Sequence, residues 1–379
     1  MGFLLALSCA LILYGTLYPF SFNLGLHEAG AFSLLAASVN GRVIRGDTIA
    51  NIILFLPFGF FAMQRILPRV TRPLRLVFVV IAGAVFSFGI ECAQSCLPGR
   101  SVSIYDIAAN TAGALFGAIL GWKNLRGKFS IFGADDHQRA VFPFLLFGAW
   151  LVSRLIPFVT NLNSQNMKDA LKPLLFGGFS PLDALRIFIF TMVVCRLIWT
   201  FTSPGRIRTA LTLIPLGVIA FKPFIMGGDI SRAEVLGTLL GVVVWRLILS
   251  RIRINNAILA LMLTAQILIG ELIPFVYTPN PGPFSIIPFG GLLKAVTIKN
   301  VLQFTEKVFL YGSFLWLLLK TGLSLRFSMI FSIALLTGIE VIQMFMVGRV
   351  SDITNPLIVV ILGVFLYFLD IRNIKSKWG

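Results

Sequence analysis

The chain has 379 residues, of which 57% are hydrophobic and only 12% charged, against roughly 25% charged in soluble domains. That composition excludes an ordinary soluble enzyme and leaves a polytopic membrane protein with room for about twelve spans of ~20 residues. The net charge of +17 does not form one stripe but falls in alternate loops, which excludes a nucleic-acid surface and fits the positive-inside pattern.

In chain order, apolar runs predict spans at 3–20, 47–66, 76–97, 104–122, 140–159, 182–202, 209–225, 231–249, 256–277, 300–319, 326–346 and 353–371. The first span starts without the basic residues of a cleaved signal, so it reads as an uncleaved span. The basic loops hold Arg65, Arg69, Arg72 and Arg75; Lys123, Arg126, Lys128 and Arg139; Arg206 and Arg208; Arg251 and Arg253; Lys320 and Arg326; and Arg372, Lys375 and Lys377. With these in the cytoplasm, both termini are cytoplasmic. The fold class expected is therefore all-α, a multi-pass transmembrane helical bundle.

The spans fall into three groups of four, with units at 1–128, 129–253 and 254–379. The first span of each ends alike, in Leu17-Tyr18-Pro19-Phe20, Leu155-Ile156-Pro157-Phe158 and Leu272-Ile273-Pro274-Phe275. A broken, polar loop of about twenty to twenty-five residues follows each stop, too rich in Gly, Pro, Ser and Asn to be a span. Four Cys, all in apolar stretches, and two distant His indicate neither a disulfide framework nor a metal site, and no cofactor motif is present.

The polar residues inside these runs are the candidates for function, because buried ionisable groups are costly in a membrane. In the first unit they are Asp47 and Asn51, Glu91, Gln94 and Arg100, and Asp106 and Asn110. Asp47 and Asn51, like Asp106 and Asn110, are spaced to share one helix face, so three helices can present their pairs to one another at the outer level. Ser103-x-x-Asp106 has the form of a capping box, a structural role for Asp106 that competes with a functional one. Glu91 could form a closed pair with Arg100. The last unit repeats the triad as Glu340, Gln343 and Arg349, followed by Asp352 and Asn355. In the middle unit Ile219, Lys222 and Gly228 stand at the triad positions, so the triad reads as lost and Lys222→Ala as nearly silent. Arg154 and Glu271, each three residues before its Pro-Phe stop, are candidates to pair with each other.

The ordered series Asp47-x3-Asn51-x3-Phe55-x-Pro57-Phe58-Gly59, Gly89-Ile-Glu91-x2-Gln94-x5-Arg100 and Asp106-x3-Asn110-x2-Gly113-x3-Gly117 resembles the VanZ-like family across residues 14 to 121. The family is named for a resistance accessory protein linked to the glycopeptide teicoplanin. The resemblance implies a bacterial envelope protein of the inner (cytoplasmic) membrane and no settled activity. Three function classes follow: binding or translocation of an outer-leaflet amphiphile, such as a lipid-linked glycan precursor or lipidated glycopeptide, with Arg100 and Arg349 on its head group; a structural scaffold; and a lipid head-group transferase or hydrolase with Glu91 or Asp106 as general base. The enzyme reading is the weakest, having no His or metal constellation to support it. Membrane lipids are the expected partners, and nucleic acid is not.

Overall fold

A computed structural model of the protein describes residues 2–17, 20–23, 33, 35–36, 38, 45–67, 69–98, 102–125, 137–155, 164–202, 205–225, 227–252, 254–290 and 298–376. Each predicted span is helical over described residues. The helices are α1 (Gly2–Leu17), α2 (Arg45–Arg65), α3 (Arg72–Gln94), α4 (Ile104–Leu125), α5 (His137–Leu155), α6 (Ser164–Phe176), α7 (Pro181–Phe201), α8 (Arg206–Leu211), α9 (Ile214–Phe221), α10 (Arg232–Leu247), α11 (Asn255–Leu272), α12 (Ile298–Lys320), α13 (Leu325–Gln343) and α14 (Thr354–Ser376). Among the described residues seven helices are long and apolar enough to cross a membrane, and shorter apolar helices accompany them. The protein is an all-α, multi-pass membrane protein. Among the described residues the one sheet is a stub, β1 (Phe284–Ser285) pairing in parallel with β2 (Ser351–Asp352).

Two departures from the predicted elements have local causes. Pro215 and Pro223 break the 209–225 run into α8, α9 and a 3₁₀ turn at Lys222–Phe224, because neither proline can donate within a helix. The expected broken loop before α7 contains α6, too short to span. Its C-terminal carbonyls at Leu174 and Leu175 are closed by the Arg232 guanidinium.

The chain forms two compact units, residues 1–130 with 291–298, and residues 131–290 with 299–379. The second and third expected groups of four thus pack together as one unit.

In the first unit Ile12, Phe55, Phe58, Met63, Val79, Ala114 and Ala118 form a core. The rings of Phe55, Phe58 and Phe86 meet at centroid distances of 5.6 to 6.1 Å. α2 and α4 approach backbone to backbone. A Cβ on Gly113 would lie 2.3 Å from the Ile52 carbonyl oxygen, on Gly117 2.0 Å from that of Leu56, and on Gly59 2.0 Å from that of Ala114. Small residues at four-residue spacing are what lets membrane helices pack this closely. α3 turns Val77, Phe78, Ile81 and Val85 outward, a lipid-facing stripe. Arg75 is buried, and its guanidinium closes the turn between α2 and α3 by donating to the Met63 and Val70 carbonyls at 3.4 and 3.1 Å.

The second unit is built round α7, which packs on α5, α10 and α11. A Cβ on Gly237 or Gly241 of α10 would lie 2.5 or 2.9 Å from the Ala184 or Phe188 carbonyl oxygen of α7, a seam of the same kind as that of α4 on α2 but less tight. α12 is buried on all sides from Tyr311 to Leu318, as befits a helix inside a large core. Phe190 and Phe309 stack edge to face at 5.2 Å between α7 and α12, one turn from an Arg186–Glu306 ion pair.

Candidate functional site

Each Pro-Phe stop creates a chemical problem. The last carbonyls of a helix have no intrahelical partner, and a proline just beyond supplies no N–H. In hydrocarbon such groups must be satisfied from elsewhere in the protein. At the end of α1 the orphan carbonyl of Thr16 accepts from Gln94 Nε2 at 2.9 Å, a side chain delivered from the end of α3. At the end of α11 the equivalent carbonyl of Glu271 accepts from Gln343 Nε2, delivered from the end of α13, also at 2.9 Å.

The glutamates solve the matching problem at helix starts. The Ser103 amide, just before α4, donates to Glu91 Oε2 at 2.9 Å. The Asp352 amide, just before α14, donates to Glu340 Oε2 at 2.9 Å across the same interval of twelve residues. Glu91 and Glu340 are each 2% exposed, and their i,i+3 partners Gln94 and Gln343 are also buried. One apolar turn therefore carries a clasp, Glu holding a helix start and Gln holding a helix end. The half-motifs are the same atoms making the same bonds in both places.

Glu91 takes the Ser103 N–H that a reciprocal capping box would give to Asp106. The Ser103 hydroxyl still caps α4, accepting from the Tyr105 amide at 3.2 Å. Asn110 donates to Ser87 Oγ at 2.9 Å, linking α4 to α3, while its Oδ1 is buried without a partner. Asn51 is half-buried on α2. Asp47 belongs to α2, but its side chain lies outside the described residues, as do Arg100, Tyr18, Pro19, Pro157 and Phe158. The expected Glu91–Arg100 pair therefore lies outside the described residues.

The last clasp is described completely and carries more. Glu340 Oε1 accepts from Asn355 Nδ2 at 2.6 Å, and Asn355 Oδ1 accepts from Lys307 Nζ at 2.8 Å. Glu271 Oε1 accepts from the Tyr311 hydroxyl at 2.9 Å and Oε2 from Gln343 Nε2 at 3.0 Å. Asp352 Oδ1 caps α14 through the Thr354 amide at 2.7 Å. Arg349 donates from Nη2 to the Ile273 carbonyl, the next orphan of the α11 stop, at 2.8 Å. It forms no ion pair with Glu340 among the described residues.

The expected Arg154–Glu271 pair is not formed. Glu271 is held by Tyr311 and Gln343, and Arg154 lies 3.9 Å from Glu234 Oε1. Glu234 in turn accepts from Lys222 Nζ at 2.7 Å, and its own amide is capped by Ser231 Oγ at 3.1 Å. The middle segment has not lost its tie; it has exchanged the charges. The acid sits at the start of α10 and the cations at the ends of α5 and α9, so one ion cluster joins the three elements that a clasp would join. The sequence signal is complementary charge at three clasp positions, Arg154, Lys222 and Glu234, which share no identity with the Glu-Gln-Arg triad.

Gln343→Leu is expected to cost about 1–3 kcal/mol, since it orphans the Glu271 carbonyl and strips one acceptor contact from its carboxylate. Gln94→Leu removes one bond only and should cost less. Thermal unfolding of the two variants in detergent checks the order.

Among the described residues no cluster of His, Cys, Asp and Glu is arranged to hold a metal. Residues 3–126 match the VanZ/LLP1 family model, an interval that coincides with α1 to α4 and contains the first clasp. Neither curated proteins nor solved structures give a match.

Proposed function

We propose that this multi-pass membrane protein, VanZ-like over its first four helices, binds the anionic head group of an outer-leaflet amphiphile at its clasped helix ends. A lipid-linked glycan precursor or a lipidated glycopeptide of the teicoplanin type is the class of ligand that fits, and translocation would build on the same binding. The observation that carries this reading is Arg349. It spends one guanidinium nitrogen on a backbone carbonyl and pairs with no acid among the described residues, while Glu340 of the same motif has both oxygens engaged. A guanidinium held in place with donors to spare suits a phosphate or carboxylate. Arg100 stands at the matching place in the first motif and is assigned the same role. Glu91, Gln94, Glu340 and Gln343 are then positioning residues, Asp106, Asn110, Asp352 and Asn355 brace the helices that carry the clasps, and Asp47 and Asn51 are assigned to the same site from their place in the motif. The matching glutamine-to-carbonyl and amide-to-glutamate bonds of the two clasps support reading the first and last four-helix groups as copies of one unit. Basic loops at the opposite helix ends support cytoplasmic termini and an outward-facing clasp in a bacterial inner membrane.

A second reading is a scaffold, favoured because both described glutamates accept from backbone amides. A head-group hydrolase or transferase gains nothing from a carboxylate so engaged. Arg349→Gln, reconstituted and exposed to a fluorescent polyprenyl-phosphate glycan or to labelled teicoplanin, separates the two. Weakened binding with unchanged thermal stability supports the head-group site. Unchanged binding, or none in the parent protein, leaves the scaffold.

A further inference from the structure

The ends of α7, α10, α11 and α12 opposite the last clasp, with the start of α8, are strongly basic. Over residues 195–214, 244–258 and 316–328 the sequence has eight Lys and Arg and no Asp or Glu. Positive-inside topology explains charge in loops, but not a half-buried arginine inside a helix. Arg196, in the last two turns of α7, is such a residue. Its Nε donates to Asn256 Oδ1 at 2.7 Å and its Nη1 to Thr200 Oγ1 at 2.9 Å, and its guanidinium lies 5.6 Å from the Trp316 ring centroid. No carboxylate among the described residues bonds to it. Asn256 donates onward to the Lys320 carbonyl at 3.3 Å, and the Lys320 ammonium lies 5.9 Å from the same Trp316 ring. The ends of α7, α11 and α12 are thereby drawn together.

Arg208, at the start of α8, stacks over Trp199 at 4.6 Å and donates to the Trp199 carbonyl at 3.3 Å. Trp199 meets Trp245 edge to face at 5.6 Å, and the indole N–H of each is buried without an acceptor. Trp245 itself is fully buried. Two guanidinium groups without a carboxylate partner among the described residues, an ammonium and two indole donors without an acceptor thus lie at these helix ends.

We propose that this end of the second unit binds a phosphate-bearing anion, the head group of an anionic phospholipid, with Arg196 and Arg208 as the main contacts. Clustered basic side chains between transmembrane helices on the cytoplasmic side are where anionic lipid head groups are recognised, and tryptophan is enriched at that level of the bilayer. The site is independent of the clasps and of any ligand they take.

The test uses the full chain in detergent, with thermal unfolding and native mass spectrometry after addition of phosphatidylglycerol, phosphatidylcholine or inorganic phosphate. Retention of phosphatidylglycerol over phosphatidylcholine, weakened roughly fivefold by Arg208→Gln and unchanged by the exposed Arg326→Gln, supports a lipid site. Equal stabilisation by inorganic phosphate, with the same dependence on Arg208, supports the site with a soluble anion as occupant. No selectivity, or equal weakening by Arg326→Gln, overturns it. Arg196→Gln should match Arg208→Gln; if it fails to accumulate, Arg208→Gln, which loses one backbone bond, decides alone.

Discussion

Replacing Gly117 by leucine is expected to abolish membrane accumulation of the protein, or to lower its stability by more than about 3 kcal/mol if some folds. The first added carbon would sit 2.0 Å from the Leu56 carbonyl oxygen and 2.8 Å from the Phe60 amide nitrogen. Both are backbone atoms of α2, so no side-chain rotation relieves the clash and the two helices must separate. Separation undoes the packing of Gly59, Gly113 and Gly121 as well, since all lie on the same seam. Even Gly117→Ala should be poorly tolerated. The control is Gly89→Ala on α3, where nothing lies within 4 Å of the new carbon. There the gain in helix propensity should leave stability unchanged or raised by about 0.5–1 kcal/mol. Equal accumulation of Gly117→Leu and Gly89→Ala in membrane fractions would show that α2 and α4 do not meet as described.

Lys222→Ala should also be severe, although its position in a degenerate motif suggested near silence. Lys222 and Glu234 have side chains 13% and 8% exposed, and removing the lysine leaves the carboxylate buried with only Arg154 at 3.9 Å. Breaking a buried pair on one side costs about 3–5 kcal/mol, whereas replacing both partners by neutral groups can be close to neutral. Lys222→Met with Glu234→Gln should therefore recover most of the loss seen in Lys222→Ala. Thermal unfolding of the single and double variants reads this directly. A double variant no better than the single one would mean that Lys222 acts through something other than Glu234.

Much of this could be read from the residues. Apolar runs located every span but not α6, which is too polar and short to stand out, because a membrane demands a run of apolar residues of set length whatever the fold. The spacing of Glu91 and Gln94, repeated at Glu340 and Gln343, marked the turns that matter, since polar groups stand out in such runs. Pro19 and Pro274 marked the helix ends. The expected Arg154–Glu271 pair failed because matching positions in two segments imply similar neighbours, not mutual contact.

What the triad bonds to was decided by tertiary structure. Ser103 and Asp352 offer backbone amides, and Thr16 and Glu271 offer carbonyls, which every residue carries and no sequence pattern distinguishes. Only the folded chain shows which of those groups are orphans, and so why a carboxylate and an amide are worth burying. The exchange of charge at Arg154, Lys222 and Glu234 is of the same kind. Composition and periodicity fix which segments enter the membrane, since hydrophobicity is a property of each residue. Which polar groups meet there depends on helix ends brought together across long intervals of chain, and only packing sets that.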